Sequence, residues 1–258
     1  MKKGLFWISL FLIAAILLGG CNTTPAAPGT PDAPGTPDAP DTPSPDYEYK
    51  TYHLDGVDYI TLTKYIGEAT DVVIPTELDG LAVTEIGVEC FAGTPVVSVT
   101  MPDAIQVIDT NAFANCTALT TITLPENMLY LGAQAFLGCT SLKEITLPAS
   151  GITEYSWGMF LGAGLETVTL RDGVEVLPTN IFLGTALQEI TIPASVTKIM
   201  PGALGGCEQL AKVKFEGNAP IMQDVGVGTV TPGYTVCHHE GAEGFTAPEW
   251  DGFAKEIW

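Results

Sequence analysis

The sequence predicts a mainly β repeat solenoid, and three observations support that class. Short segments of one pattern recur at a period of 22 or 23 residues, led by Val96, Leu119, Leu142, Leu165, Leu187 and Leu210. Within each, apolar and polar residues alternate as in Ile122-Thr123-Leu124, the period-two signature of a half-buried strand. A bulky residue precedes each copy at a similar distance: Phe91, Phe113, Phe136, Phe160, Phe182 and Leu204. One copy offers about seven apolar groups, such as Leu119, Ile122, Leu124, Met128, Leu131, Ala135 and Phe136. That is too little buried surface to offset the ordering of a coil, so the copies are expected to stack, with atypical coils closing both ends.

The elements follow in chain order. Residues 1–20 read as a signal peptide: Lys2 and Lys3 precede an uncharged apolar run from Leu5 to Leu18, shorter than the roughly 20 residues that span a bilayer. The run ends in Leu17-Leu18-Gly19-Gly20-Cys21, which resembles the lipobox of bacterial lipoproteins. That resemblance implies cleavage before Cys21 and acylation of its sulfur and amine, and two or more acyl chains anchor a protein stably. Residues 21–46 then form a stalk. Pro25, Pro28, Pro31, Pro34, Pro37, Pro40 and Pro43 are spaced by three, the repeat of a polyproline II helix. At about 3.1 Å per residue the segment reaches roughly 75 Å, and it has almost no apolar side chains with which to pack.

Residues 47–95 are assigned to an N-terminal cap and first coil, 96–215 to the repeats and 216–258 to a C-terminal cap. Between each strand and the next bulky residue lies a second apolar pair: Ile105 and Ile108, Met128 and Leu131, Ile152 and Tyr155, Val174 and Leu177, Val196 and Ile199. Proline follows the strand at Pro102, Pro125, Pro148 and Pro193, where its missing N–H stops the ladder.

Read from Cys116 to Phe136, the pattern Cys-x-x-Leu-x-x-Ile-x-Leu-Pro-x-x-Met-x-x-Leu-Gly-x-x-Ala-Phe resembles the BspA-like, Treponema pallidum-type leucine-rich repeat. The leading segment Tyr59-Ile-Thr-Leu-Thr-Lys-Tyr-Ile-Gly67 and the ending Gly244-Phe-Thr-Ala-Pro-Glu-Trp-Asp-Gly252 are similar to the first and last coils of that family. The resemblance spans about residue 48 to 258. It implies a right-handed leucine-rich-repeat coil of about six repeats of 22–24 residues. It also implies a surface or secreted bacterial protein associated with adhesion and protein binding.

The charge balance narrows the function. With 10 basic against 30 acidic residues, the net charge of −20 repels phosphate backbones and anionic headgroups. Nucleic acid is excluded as a partner, and membrane contact is expected through the lipid anchor alone. The outward strand positions form two columns. One reads Thr100, Thr123, Thr146, Thr169, Thr191, Lys214; the other reads Ser98, Thr121, Glu144, Thr167, Glu189, Lys212. Threonine on a pleated surface stabilises a sheet by cross-strand pairing, and such a face is also where solenoids bind. Both roles stay open. Lys212 and Lys214 stand out as positive charge on an acidic protein, and two readings of Trp157 stay open: an exposed indole on the turn that anchors a partner or stacks on sugar, or a compensating core residue of an irregular copy.

Cys116, Cys139 and Cys207 share one repeat position, three residues before the strand's leucine. They are expected to be buried free thiols that fill a turn inside their own coils, with Cys90 also in the core. Cys237 has no repeat context. The run Cys237-His238-His239-Glu240 contains metal-ligand types, but adjacent strand residues point to opposite faces and no second spaced pair exists. Gly226-Val227-Gly228-Thr229 lacks the lysine of a phosphate loop. No cofactor, metal or catalytic residue is expected. The leading expectation is a surface lipoprotein that binds a host or neighbouring-cell protein or glycan. Docking onto another envelope protein is the alternative, and an enzyme built around His238 is the weakest reading.

Overall fold

The computed structural model describes residues 46–222, 234–246, 250 and 253–258. The signal segment, Cys21, the stalk and the Gly226 turn lie outside them.

The described chain opens with a hairpin of β1 (Tyr47–Leu54) and β2 (Val57–Tyr65), paired antiparallel. Its turn is Asp55-Gly56, with φ of 50° and 82°, the conformation for which Asp-Gly is favoured. β3 (Asp71–Val73), β4 (Glu77–Leu78) and β5 (Leu81–Ile86) complete the first coil. The next coils give β6 (Ser98–Thr100) with β7 (Val107–Ile108), and β8 (Thr121–Ile122) with β9 (Tyr130–Leu131). β10 (Glu144–Leu147) has no second strand in its coil. β11 (Thr167–Leu170) with β12 (Val176–Leu177), β13 (Glu189–Ile192) with β14 (Lys198–Ile199), and β15 (Lys212–Phe215) with β16 (Ile221–Met222) follow. β17 (Thr235–His238) and β18 (Ala254–Ile257) close the described chain.

The pairing is that of a solenoid of about eight turns. One flank carries the ladders β3-β6-β8, β10-β11 and β13-β15-β17-β18, all parallel, in registers such as Val99↔Ile122, Ile145↔Val168 and Ile190↔Val213↔Val236. The other flank carries β2-β5-β7-β9 and β12-β14-β16. Parallel pairing needs a crossover, and here each coil supplies its own. The apolar positions predicted for the strands are buried in one continuous core between the flanks.

The phenylalanines form the third side of that core. Phe91, Phe113, Phe136, Phe160 and Phe182 stack face to face, with centroids 4.9, 5.4, 5.3 and 5.8 Å apart and ring planes within 14° of parallel. Tyr65 and Tyr47 extend the column onto the hairpin. Two backbone positions frame each ring in the left-handed region. Two residues before it stand Glu89, Asn111, Gln134, Gly158, Asn180 and Gly202; two residues after it stand Gly93, Asn115, Gly138, Gly162, Gly184 and Gly206. The second set is glycine or asparagine throughout, the residues that adopt this conformation at least cost.

One expected core position is wrong. Tyr155 is 57% exposed, and the second-flank ladder is interrupted between β9 and β12. Phe136 and Phe160 are separated by 24 residues where neighbouring rings are 22 or 23 apart, and the surplus is absorbed here. Ser156 is fully buried instead, its hydroxyl donating to the Leu131 carbonyl at 2.5 Å. That hydrogen bond substitutes for a strand pairing and turns Tyr155 out to solvent.

Candidate binding face

The outward positions fall on three separate ladders of the strand flank, and the registers fix neighbours within each ladder. Ser98 lies between Asp71 and Thr121, Glu144 opposes Thr167, and Lys212 lies between Glu189 and Thr235. Thr146 opposes Thr169, and Lys214 lies between Thr191 and Cys237. Thr121, Thr123, Glu144, Thr146, Thr167, Thr169 and Glu189 are exposed, whereas Thr191, Lys212 and Lys214 are half-buried. The middle of the face is thus a lattice of hydroxyls interrupted by Glu144 and Glu189.

Its two ends are internally paired. At the first coil the Ser98 hydroxyl donates to Asp71 at 2.6 Å. At the last coils Lys214 lies 3.1 Å from Glu189, and Lys212 lies 3.2 Å from Glu256 on β18. The hydrogen bond to Glu256 holds the Lys212 ammonium above its ordinary range. Lys212 and Lys214 are therefore not the free positive patch that the composition suggested, because each is matched by a carboxylate. Exposed pairs of this kind contribute little stability but fix where charge is presented.

Cys237 sits in the same outward column, between Lys214 and Glu256, and is 2% exposed. Burial pushes its thiol up, as does Glu256, against the opposing pull of Lys212 and Lys214. The neighbouring histidines are used as packing surfaces: His238 stacks on Phe245 at 4.6 Å and His239 on Trp258 at 4.4 Å. Among the described residues no group of three or more His, Cys, Asp or Glu side chains converges on one point.

Trp157 is 45% exposed, but it does not join the threonine columns. It follows the second-flank position, where regular coils place the buried Thr110 and Ala133, and its carbonyl accepts the Gln134 N–H at 3.0 Å. Tyr155, two residues earlier, is the exposed aromatic that sequence reasoning missed. The signal was the surplus residue of that coil.

The cysteines of the repeat are buried and free. Each thiol bonds across to the preceding coil instead of closing its own turn. Cys116 donates to the Phe91 carbonyl at 3.0 Å, Cys139 to Phe113 at 3.1 Å and Cys207 to Phe182 at 3.2 Å. In two coils that lack the cysteine, a threonine hydroxyl donates to the carbonyl of its own ring residue: Thr94 to Phe91 and Thr185 to Phe182. Burial pushes the Cys139 thiol up to about 12 and raises Cys90, Cys116 and Cys207. These are inert structural groups.

Comparison with known proteins agrees with this architecture. The profile of the BspA type leucine rich repeat region matches residues 84–211 and 176–224, with six copies. The chain belongs to that family. Its members are bacterial surface leucine-rich repeat proteins, typically without enzymatic activity. Among solved structures, the Treponema pallidum leucine-rich repeat protein is 26% identical over 76% of this chain and 81% of its own, with a TM-score of 0.51. The pneumococcal vaccine antigen PcpA is 18% identical over 86% of this chain and 70% of its own, with a TM-score of 0.56, and bears on the fold alone. A leucine-rich cell surface protein of Faecalibacterium prausnitzii is 21% identical over 80% and 72%, with a TM-score of 0.48. A search of curated protein sequences returned no match. Among the described residues of this BspA-type chain, no helix is long and apolar enough to cross a membrane.

Proposed function

We propose that this BspA-type protein is a lipid-anchored cell-surface receptor whose strand face binds an extracellular protein or glycan. The observation that carries the reading is the outward lattice from Thr121 to Thr191. Its hydroxyls donate and accept at regular intervals along one flank, and the fold does not use Thr123, Glu144, Thr146, Thr167 or Thr169 for any core contact. Repeating hydrogen-bonding groups along a sheet match an extended partner better than a compact small molecule. The lipobox and stalk support the placement: Cys21 would carry the acyl chains, and the Pro-rich spacer would hold the repeat away from the membrane.

The test is a binding screen of the purified full-length protein against matrix proteins, mucins and glycan arrays. A double variant, Thr146→Arg with Thr169→Arg, places two large side chains at the centre of the face without touching the core. The expected outcome is at least one partner bound at micromolar concentration by the parent and lost in the double variant. Binding that survives both substitutions would move the site elsewhere on the solenoid. The anchor is tested separately, by metabolic labelling with an alkyne fatty acid. Label is expected on the parent protein and absent from Cys21→Ala.

A further inference from the structure

A second site lies on the opposite flank, where the N-terminal hairpin overhangs the repeat. β2 joins β5 only from Ile60 onward, with a register shift that pairs Ile60 with Val83 but Thr61 with Glu85. The tip of the hairpin is therefore free of the ladder, and it folds over the outer surface of β5 and β7 until Leu54 packs against Val107 and Tyr130. Between tip and sheet is a cleft of about 290 Å³. Leu54, Val57 and Tyr59 line it from the hairpin, Val107 and Leu129 from the repeat, and its lining holds two carboxyls, Glu85 on β5 and Asp55 at the hairpin turn.

Glu85 occupies an unusual position for an acid. The hydroxyl of Thr61 donates to its Oε2 at 2.6 Å, and no Lys, Arg or His forms an ion pair with it among the described residues. Tyr59 from β2 and Asp109 beyond the end of β7 both disfavour its negative charge or are disfavoured by it, and Asp55 from the hairpin turn lines the same cleft. A carboxylate without an ion-pair partner beside apolar walls, with Asp55 adding negative charge to the same lining, favours a cation, and the net charge of −20 attracts one. The volume is at the lower limit of ligand sites and admits a compact molecule only.

We propose that this cleft binds a small organic ammonium, its apolar body held between Val57 and Val107 and its charged head on the Glu85 carboxylate. The site is independent of the threonine face and does not require that face to bind anything. Burial raises the Glu85 carboxyl to about 7, so its charge, and with it the selectivity, is complete only above neutral pH.

The experiment is saturation-transfer NMR and calorimetry on the full-length protein with 2-phenylethylammonium and its neutral isostere 2-phenylethanol. At pH 8 the ammonium is expected to bind about tenfold or more tightly than the alcohol, and at pH 5 that preference is expected to collapse. Glu85→Gln should abolish the preference at pH 8. Val57→Arg, at an exposed position that cannot unfold the core, should exclude both compounds by filling the cleft with a cation of its own. Glu144→Gln on the threonine face should leave the ammonium preference of the cleft unchanged. Absence of ammonium binding, equal binding of the two compounds, or a preference that survives Glu85→Gln would each overturn the proposal.

Discussion

Truncating Phe136 to alanine tests the stacking argument at its strongest point. The ring is fully buried, lies 5.4 Å from Phe113 at 2° and 5.3 Å from Phe160 at 6°, and belongs to the middle of the array. Removal of a buried phenylalanine ring costs roughly 3–5 kcal/mol, and each aromatic pair supplies about 0.5–1.5 kcal/mol of that. Among the described residues Phe182 has one ring neighbour, Phe160 at 5.8 Å, because the next coil places Leu204 at the equivalent position. Phe182→Ala should therefore cost about 1 kcal/mol less than Phe136→Ala, the value of one lost stack. Phe136→Leu copies what the Leu204 coil already does and should cost under about 1.5 kcal/mol. Urea denaturation followed by far-ultraviolet circular dichroism measures all three. A cost under about 1 kcal/mol for Phe136→Ala, or a larger one for Phe182→Ala, would show that the coils are not held by the ring column.

Three further outcomes are expected. With the thiols of Cys90, Cys116, Cys139 and Cys207 raised by burial, a disulfide reagent at pH 8 should leave them unmodified in the folded protein and label them at once in urea; rapid native labelling would mean that the coils open readily. Gly184 has φ 74° and open space around an added Cβ, so Gly184→Ala should cost about 1 kcal/mol through the backbone alone, while Gln134→Gly at φ 55° should gain a similar or smaller amount; thermal melts decide both. Glu85 ionises near 4.5 when unfolded and near 7 when folded. Between those values the unfolded chain has released a proton that the folded chain still holds, and stability falls as pH rises through the window. Glu85→Gln should thus stabilise the protein by at most about 3 kcal/mol at pH 8 and by nothing at pH 4, and equal effects at both would remove the buried-acid explanation.

The parts of the fold that recur were legible in the sequence. A strand that buries Ile122 and Leu124 repeats the pattern in every coil, so periodicity assigns its inward and outward faces without coordinates. The left-handed positions beside each ring were equally visible as a run of glycine and asparagine, but Glu89 and Gln134 break the companion series and hide it. What does not recur was illegible. The ion pairs Arg171–Glu126 and Lys198–Glu154 join residues 45 and 44 apart, two coils distant, whereas column reasoning compares adjacent coils. Lys212 finds its partner Glu256 in the last described strand, outside the repeat altogether. The cleft under the hairpin depends on one register shift between Ile60 and Thr61, which no composition or spacing announces.

That division follows from how a solenoid distributes its constraints. Each interior side chain must fit both neighbours, so Phe136 is fixed by Phe113 and Phe160, and Cys139 is tied to the carbonyl of Phe113. Outward side chains meet solvent and answer only to the pleat, which tolerates threonine, glutamate or lysine at a single column position. Variation along the array is therefore cheap on the face and costly in the core. Where a coil carries an extra residue, as between Phe136 and Phe160, the core keeps its ring spacing and expels the surplus as Tyr155 and Trp157. A surface that changes freely over a core that cannot lets one scaffold carry different faces. The residues to compare between relatives are thus the outward columns and the ejected aromatics. The leucines that identify the family carry no information about those outward positions.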